Sequence, residues 1–481
     1  MATVYKTPGV YIEEITKFPP SVAPVETAIP AFIGYMEKAD DLATNDLKLK
    51  PKRITSLVEY EKYFGVPQME EKISVTVQQT KVNSIVTVLS AVATVAEADR
   101  SKHTMHYALQ MYFANGGGPC YIVSVEKYKA NFGDPLVETE MAKGLDALVK
   151  EDEPTLLVFP EAQSLSIGDF KTLQDAALQQ CADLQDRFVI MDVHGDTISL
   201  SDPNAILLDA VKNFRDNGIG TNNLKYGAAY APNIESVLDF AFDETKTQVI
   251  LVTDGTAAAG VTLDTLLTGA DKNSRAYEQA KAAIRDMPCK MPPASTMAGI
   301  YAAVDNSRGV WKAPANVSIS SVTKPTIQFS AADQGEMNVD VTAGKSVNAI
   351  RYFIGKGPLV WGARTLAGND NEWRYVNVRR FFIFTEESCK KATEQFVFEP
   401  NDANTWVRVQ AMIENFLTVL WRQGALQGIK PEHAFYVSVG LGKTMTALDI
   451  LDGRMIVEIG MAAVRPAEFI ILRFSHKMAE S

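Results

Sequence analysis

The sequence predicts an α/β fold, α+β over the whole chain, divided into two or three domains. Helix, turn and strand recur in that order through the middle of the chain, which is typical of a largely parallel sheet. Near the C-terminus, apolar residues recur at helical spacing over 405–426 and predict a long amphipathic helix. A chain of 481 residues is too long for one ordinary hydrophobic core, so more than one domain is expected.

Residues 1–30 are predicted to form an extended arm. Prolines punctuate this segment, and proline neither donates a ladder hydrogen bond nor favours helix in the residue before it. The short run between the prolines would be apolar on both faces of a strand, so it needs a sheet to join, in its own chain or in a neighbour. The candidate contact residues of this arm are Val10, Tyr11, Ile12 and Ile15.

The central region, 31–345, is predicted to contain the parallel sheet, with a candidate subdomain over about 233–290. A helix opened by the cap Thr55 and ended by Gly65 is expected early in this region. The run 73–96 is rich in Val, Thr and Ser and alternates in part, which predicts a hairpin or an insertion.

The C-terminal region, 346–481, follows a stretch of predicted short β segments over 318–341. Aromatic and β-branched residues dominate 373–384 and predict a strand or a strand-to-helix element, with Arg379 and Arg380 at its middle. Two alternatives stay open for these arginines. Either one lies in solvent and the other in an intradomain ion pair, or one forms a bidentate pair with a carboxylate of a neighbouring subunit.

Three strands are predicted after the long helix, over 433–440, 453–464 and 468–474. The last of them is a second candidate arm, because it is strongly apolar and lies close to the C-terminus. Its candidate contact residues are Phe469, Ile470, Ile471, Leu472 and Phe474.

Composition argues against several classes of partner. A formal net charge of −11 is unlike a nucleic-acid or anionic-membrane binder, because such surfaces are basic. The longest apolar run, 84–96, is too short and too rich in hydroxyl groups to span a bilayer, so no membrane insertion is expected. The cysteines form no CxxC pair and are expected to be reduced, mostly buried thiols of a protein assembled in the cytoplasm. They are Cys120, Cys181, Cys289 and Cys389.

Two polar clusters invite a catalytic interpretation, and each has a simpler alternative that the residues favour. The run 437–444 ends in Gly-Lys-Thr, but a phosphate-binding loop needs glycine where Val437 stands, so a β-turn is predicted. Asp192 and His194 follow an apolar strand, where α/β folds often place ligands. No HExxH or similar spacing accompanies them, and a polar loop is predicted there.

The remaining candidates lack partners in sequence. His103 and His106 can share one helix face, but nothing nearby completes a metal site, so they are interpreted as surface or packing residues. Asp254 and Gly255 are interpreted as turn residues. No catalytic, metal-binding or cofactor-binding residue is therefore assigned, and no cofactor is expected.

Several segments, in order along almost the whole chain, resemble the contractile tail sheath family of contractile-tailed phages, R-type pyocins and related injection systems. No single segment is a chemical signature, but the ordered set is specific. The segments are 5–15, 31–35, 115–125, 292–316, 359–388, 397–406 and 465–474.

The resemblance implies a structural subunit rather than an enzyme. Such subunits polymerise into a helical sheath around an inner tube and contract to drive the tube through a target envelope. In the family, the C-terminal domain is the inner sheath domain, completed by the N-terminal arm, and the central α/β domain is inserted outside it. Arms would link subunits by strand exchange. The remaining alternative is a cytosolic α/β hydrolase or nucleotide-binding enzyme.

The resemblance also implies partners. These are further copies of the chain, the inner tube protein, and baseplate and terminator or cap proteins, while a second sheath isoform stays open. Assembly is expected in the bacterial cytoplasm as part of a phage tail or tail-like particle, with extracellular release left open. The polar stripe of the 405–426 helix is the candidate inner-tube contact, through Arg408, Glu414, Asn415 and Arg422.

Overall fold

A computed structural model describes residues 21–83, 85–195, 203–269 and 272–473, and its contacts group the chain into two units. The larger unit comprises Glu26–Phe384 and the segment that starts at Arg465. Among the described residues, the smaller unit comprises 21–25 and Thr385–Val464. Both helices and sheets are abundant, and the predicted α/β class is confirmed.

The strands of the described residues are numbered in chain order. They are β1 (Pro30–Met36), β2 (Lys52–Ile54), β3 (Ser74–Val82), β4 (Ile85–Thr94), β5 (Cys120–Lys127), β6 (Leu156–Val158), β7 (Phe188–Asp192), β8 (Gly227–Ala231), β9 (Ile234–Ser236), β10 (Gln248–Thr253), β11 (Thr256–Ala257), β12 (Val261–Thr262), β13 (Cys289–Met291), β14 (Val317–Ser318), β15 (Val322–Pro325), β16 (Val347–Phe353), β17 (Gly357–Val360), β18 (Phe435–Val439) and β19 (Val457–Met461).

The α-helices of the same residues are numbered likewise. They are α1 (Leu57–Phe64), α2 (Met105–Ala114), α3 (Glu138–Ala147), α4 (Ile167–Leu184), α5 (Pro203–Asn213), α6 (Thr265–Thr268), α7 (Ser274–Arg285), α8 (Ala294–Arg308), α9 (Ala331–Asn338), α10 (Val376–Thr393), α11 (Ala403–Arg422), α12 (Pro431–Ala434) and α13 (Ala447–Leu451).

The larger unit is built on a sheet with the strand order β14-β17-β16-β8-β7-β6-β1-β5-β2. Neighbours from β16 to β5 pair in parallel, and the outer strands β17, β14 and β2 pair antiparallel. Every residue of β1 is buried, as expected for parallel strands covered on both faces. Because β16 pairs with β8, this sheet continues across the boundary expected near residue 345.

A second core lies in the same unit, on a smaller sheet of β3, β4, β10, β11 and β12. β3 and β4 form an antiparallel hairpin, so the hairpin alternative for 73–96 is confirmed. β10 pairs in parallel with β3, and α6 and α7 supply the rest of the core. The subdomain expected over 233–290 therefore shares its core with a hairpin that is distant in sequence.

Helix α10 corrects the prediction of a strand or strand-to-helix element over 373–384. Its residues from Val376 to Phe381 are all buried, and a helix buried on all sides shows no apolar stripe of period 3.6. Aromatic and β-branched residues at consecutive positions then look like a strand. The prediction from the local pattern was wrong here, because packing in the tertiary structure overrides the strand propensity of these residues.

Two smaller expectations are corrected as well. The cap of α1 is Ser56, whose side chain accepts a hydrogen bond from the Glu59 backbone, rather than Thr55. Only two short strands form in 318–341, and the stretch ends in helix α9. Ser330 opens that helix through a capping box with Asp333, which satisfies backbone N–H groups at the helix N-terminus.

Candidate functional site: assembly surfaces

The C-terminal segment is exposed and apolar. Phe469, Ile470, Ile471 and Leu472 are 70%, 79%, 77% and 73% exposed. In the described part of the strand predicted over 468–474, which ends at 473, no residue pairs with another described strand. Phe474 and the N-terminal arm residues Val10, Tyr11, Ile12 and Ile15 lie outside the described residues.

Glu468 holds the start of this segment on the larger unit. Its carboxylate accepts hydrogen bonds from Arg364 Nε at 2.9 Å and Arg364 Nη2 at 2.7 Å. Tyr375 Oη donates to it at 3.0 Å and Asn338 Nδ2 at 2.7 Å. Burial raises the pKa of Glu468, but these three donors together outweigh burial and leave the pKa below its ordinary value. We call this cluster the Glu468 clamp.

Arg364 is itself held rigidly. Asn348 of β16 accepts a hydrogen bond from the Arg364 backbone N–H at 2.7 Å and donates to the Arg364 carbonyl oxygen at 2.8 Å. Asn348 is fully buried. A Cβ at Gly362 would lie 3.1 Å from Asn348 Cα, so glycine there allows the close approach. The backbone that carries the guanidinium is thus bound on both sides, and Arg364 Nη1 also donates to the Asn338 carbonyl oxygen at 3.3 Å.

Arg380 forms its ion pair within the chain. Its Nη2 lies 2.6 Å from Asp305 Oδ2 and donates to the Thr27 carbonyl oxygen at 2.7 Å. The guanidinium also stacks 4.6 Å from the Tyr301 ring centroid. Both charged side chains are 3% exposed. The bidentate carboxylate partner of Arg380 thus belongs to its own unit, as in the alternative of an intradomain ion pair, while an intersubunit pair stays a prediction.

Arg379 is buried beside aromatic rings. Its guanidinium carbon lies 4.7 Å from the ring centroids of both Tyr226 and Trp373, and the residue is 3% exposed. It therefore lies neither in solvent nor on an outer surface of the unit, and an intersubunit pair for it is not supported by this position.

The polar stripe of α11 is exposed on the smaller unit. Arg408, Asn415 and Arg422 face solvent, while Glu414 is half-buried and accepts a hydrogen bond from Gln410 at 2.8 Å. Arg408 also pairs with the carboxylate of Glu399 at 3.1 Å. The opposite face carries the buried residues Thr405, Val409, Met412, Ile413, Phe416, Leu417 and Leu420. The long helix is confirmed, and whether its stripe binds a tube stays a prediction.

The smaller unit carries an incomplete sheet. β18 and β19 pair antiparallel, and a single bridge joins Leu426 to Ala463 beyond them. Among the described residues no third strand joins this pair. Two-stranded sheets are marginally stable by themselves, and α11 packs against β18. Such a sheet can accept further strands at its edges.

The polar clusters considered as catalytic sites have structural partners. Asp192 accepts a hydrogen bond from the Ala294 backbone N–H at 2.7 Å, at the start of α8. His194 Nε2 lies 2.8 Å from the Leu165 carbonyl oxygen. Residues 440–445 form a turn closed by a hydrogen bond from the Gly442 N–H to the Met445 carbonyl oxygen. The predicted loop and turn are confirmed.

His103, His106 and the four cysteines are buried packing residues. His103 precedes α2 rather than sharing its face with His106, and it accepts a hydrogen bond from the Lys129 backbone N–H at 2.9 Å. All four cysteines are free and buried. Burial raises the pKa of Cys289 to about 11 and that of Cys389 to about 12, so these thiols stay protonated near neutral pH.

Two further searches cover only the residues that the structure describes. Within them, no three or more His, Cys, Asp or Glu side chains are grouped as a metal site would require. Every helix in these ranges is too short or too polar to cross a bilayer.

The Glu468 clamp was missed by the sequence reasoning. Its carboxylate lies 104 residues from Arg364 along the chain, and no local pattern identifies a partner at that distance. One signal was present in the sequence: a single carboxylate stands between Pro466 and a run of four apolar residues. A charge at the root of an apolar arm needs a partner if it is buried.

Comparisons with known proteins agree on one family. A family model described as the phage tail sheath C-terminal domain matches residues 368–477. The chain is 30% identical to a chain of the PVC extracellular contractile injection system sheath complex in the contracted state, covering 99% of both chains with a TM-score of 0.63. It is 31% identical to the helical sheath of the anti-feeding prophage in the contracted state, covering 98% of this chain and 100% of that one, with a TM-score of 0.62.

A curated relative is more distant. The tail sheath protein of Burkholderia phage BcepMu is 29% identical over 142 residues, which are 29% of this chain. That match spans 30% of the length of the phage protein. By its near-complete alignment with the two contractile sheath chains, the protein belongs to the contractile tail sheath family.

Proposed function

We propose that this chain polymerises into a helical sheath around an inner tube, and that contraction of the sheath drives the tube through a target envelope. The observation that carries the proposal is the exposed apolar segment 469–472. A row of exposed apolar residues without a strand partner marks a site for pairing with another chain. Its partner in this proposal is a neighbouring copy of the same chain.

Strand exchange supplies a lasting link between neighbours. Each backbone hydrogen bond contributes about 1 kcal/mol net, so two or three added strands contribute on the order of 10 kcal/mol. The incomplete sheet of β18 and β19 is the acceptor in this proposal, with the N-terminal arm as a second donor. Head-to-tail links of this kind do not close on themselves and so generate helices.

Contraction is proposed to be a rigid-body rearrangement of subunits that stay linked by their arms. The residues before about 30 act as a linker arm, the central α/β region lies outside, and the C-terminal region faces the tube. Arg408, Glu414, Asn415 and Arg422 form the tube contact. Baseplate and terminator proteins bind the ends of the sheath, assembly takes place in the bacterial cytoplasm, and the role is structural rather than enzymatic.

Deletion of residues 469–481 tests the link. Sedimentation velocity is expected to show large polymers for the complete chain and single subunits for the truncated chain, with unchanged circular dichroism. A chain that ends at residue 474 keeps the apolar segment and is the matched control, which should polymerise. Polymers of normal size from the 469–481 deletion would contradict the proposed arm.

A further inference from the structure

The Glu468 clamp sits where the exposed C-terminal segment leaves the larger unit. The segment after Glu468 is open to solvent, whereas Arg364 on the other side of the clamp is 5% exposed. This is a bidentate contact of a buried guanidinium with two extra donors, unlike an isolated surface ion pair of negligible strength. Glu468 is therefore the last described residue that hydrogen bonds hold on the larger unit.

Arg364 continues the connection into the sheet. Its backbone is bound on both sides by Asn348 of β16, and it bridges to the backbone of Tyr375, whose hydroxyl also binds Glu468. Tension on the exposed segment would thus reach β16 through the hydrogen bonds that join Glu468 to Arg364 and Arg364 to Asn348. A similar arrangement holds the other end of the chain, where the buried Arg380 binds the Thr27 carbonyl oxygen.

We propose that Glu468 is the positioning residue of the C-terminal arm. The clamp fixes the point from which the arm departs, limits the exchangeable part to the residues after 468, and transmits load from the arm into the large sheet. This inference rests on the proposed sheath function for the role of the arm, but the clamp itself is a property of the single subunit.

Cleavage after Glu468 by a glutamate-specific protease measures the clamp in the unpolymerised chain. A glutamate whose carboxylate is held by Arg364 cannot enter the protease pocket until the clamp opens, and cleavage then follows the population of the open state. The readout is the rate at which the C-terminal peptide appears in a mass spectrum, as 469–481 or, after further cleavage at Glu480, as 469–480. We expect the unaltered chain to release it slowly.

Asn338→Asp is the principal variant. It replaces a donor to Glu468 by a like charge of the same size, on a side chain that is only half-buried, so the fold should survive. Loss of a charged hydrogen bond together with added repulsion should speed release about tenfold to a hundredfold. Arg364→Gln should act in the same direction. The matched control is Asn371→Asp, which makes the same change on an exposed asparagine of this unit and should leave the rate unchanged.

Equal release rates for Asn338→Asp, Arg364→Gln and the unaltered chain, with native circular dichroism, would overturn the proposal. Rapid release from the unaltered chain would do the same. If Arg364→Gln fails to fold, Asn338→Asp decides the outcome. The sheath function is tested separately by polymerisation: an unaltered chain that never polymerises but shows a closed clamp would contradict the function and leave the clamp standing.

Discussion

Loss of the buried ion pair between Arg380 and Asp305 is expected to lower the free energy of unfolding more than loss of an exposed ion pair. Both side chains are 3% exposed, so Asp305→Ala leaves a buried guanidinium without its carboxylate. Such a loss costs about 3–5 kcal/mol, measured as a decrease in the free energy of unfolding by urea. Glu71→Ala removes one partner of an exposed pair with Lys246 and should lower the free energy of unfolding far less, because solvent screens an exposed ion pair. Equal effects of the two substitutions would contradict the buried pair.

Titration of the Glu468 carboxylate should make the free energy of unfolding depend on pH in one direction. Its pKa in the folded chain is lowered from the ordinary value of 4.5 by Arg364, Asn338 and Tyr375. The stability that it contributes is therefore complete above pH 4.5 and is lost as the pH falls through the lowered pKa. The difference in unfolding free energy between the unaltered chain and Glu468→Gln should be constant from neutral pH to about 5 and shrink in stronger acid. A difference that grows on acidification would contradict the clamp.

Single side chains also show where sequence reasoning ends. The turn residues Asp254 and Gly255 were predicted from their own preferences, and both adopt positive φ, at 48° and 83°. The partner of Arg380 could not be chosen from sequence, because Asp305 lies 75 residues away and both alternatives use the same chemistry. Long-range pairing is decided by how helices α8 and α10 pack, which no local pattern encodes.

The packing of helix α3 on the large sheet depends on Gly144. A Cβ at this position would lie 2.6 Å from Ile33 Cγ2 and 2.6 Å from Val125 Cγ1, and β-branched side chains on a sheet have few alternative rotamers. Gly144→Ala should therefore destabilise the larger unit by about 1–3 kcal/mol, although alanine favours helix. Gly168→Ala in α4 meets no atom within 4 Å and should be neutral or stabilising. Thermal unfolding of the two variants distinguishes close packing from propensity.

Helix α11 carries the predicted tube contact. Arg408→Glu combined with Arg422→Glu reverses two exposed charges and should leave sheath polymers intact while uncoupling them from the tube. Co-sedimentation of sheath with tube protein measures the coupling. Arg275→Glu combined with Arg285→Glu makes the same change on the exposed face of α7 and should have no effect. Normal co-assembly of the α11 double variant would remove the assignment.

Helix α11 was predicted from sequence and α10 was not, and the difference follows from how much of each helix is buried. One face of α11 is buried and the other is exposed, so the apolar residues recur with the helical period and reveal the helix. α10 is buried along most of its length, and its apolar residues 381–384 stand at consecutive positions, so they do not show the helical period. Strand and helix are then indistinguishable by pattern, and β-branched residues favour the wrong choice.

The fold class of the chain could be predicted from sequence, whereas the boundaries between its two units could not. Alternating helices and strands predicted the parallel sheet. The connection between two parallel strands must bring the chain back to the end of the sheet where the first strand began, and a helix usually makes this connection. The contact units divide the chain at 25/26, 384/385 and 464/465, where composition changes little. The described part of the C-terminal segment, up to 473, pairs with no described strand, and its apolar pattern could not show this, because strand formation depends on a partner that lies elsewhere.

Electron microscopy of negatively stained particles shows whether the chain polymerises into a sheath. The purified chain would be imaged alone and after expression with its tube protein. For a sheath subunit, we predict long hollow tubes with a cogwheel end view. Their diameter reports whether the extended or the contracted arrangement forms by default. A uniform population of small closed particles that never polymerise, even with the tube protein, would contradict it.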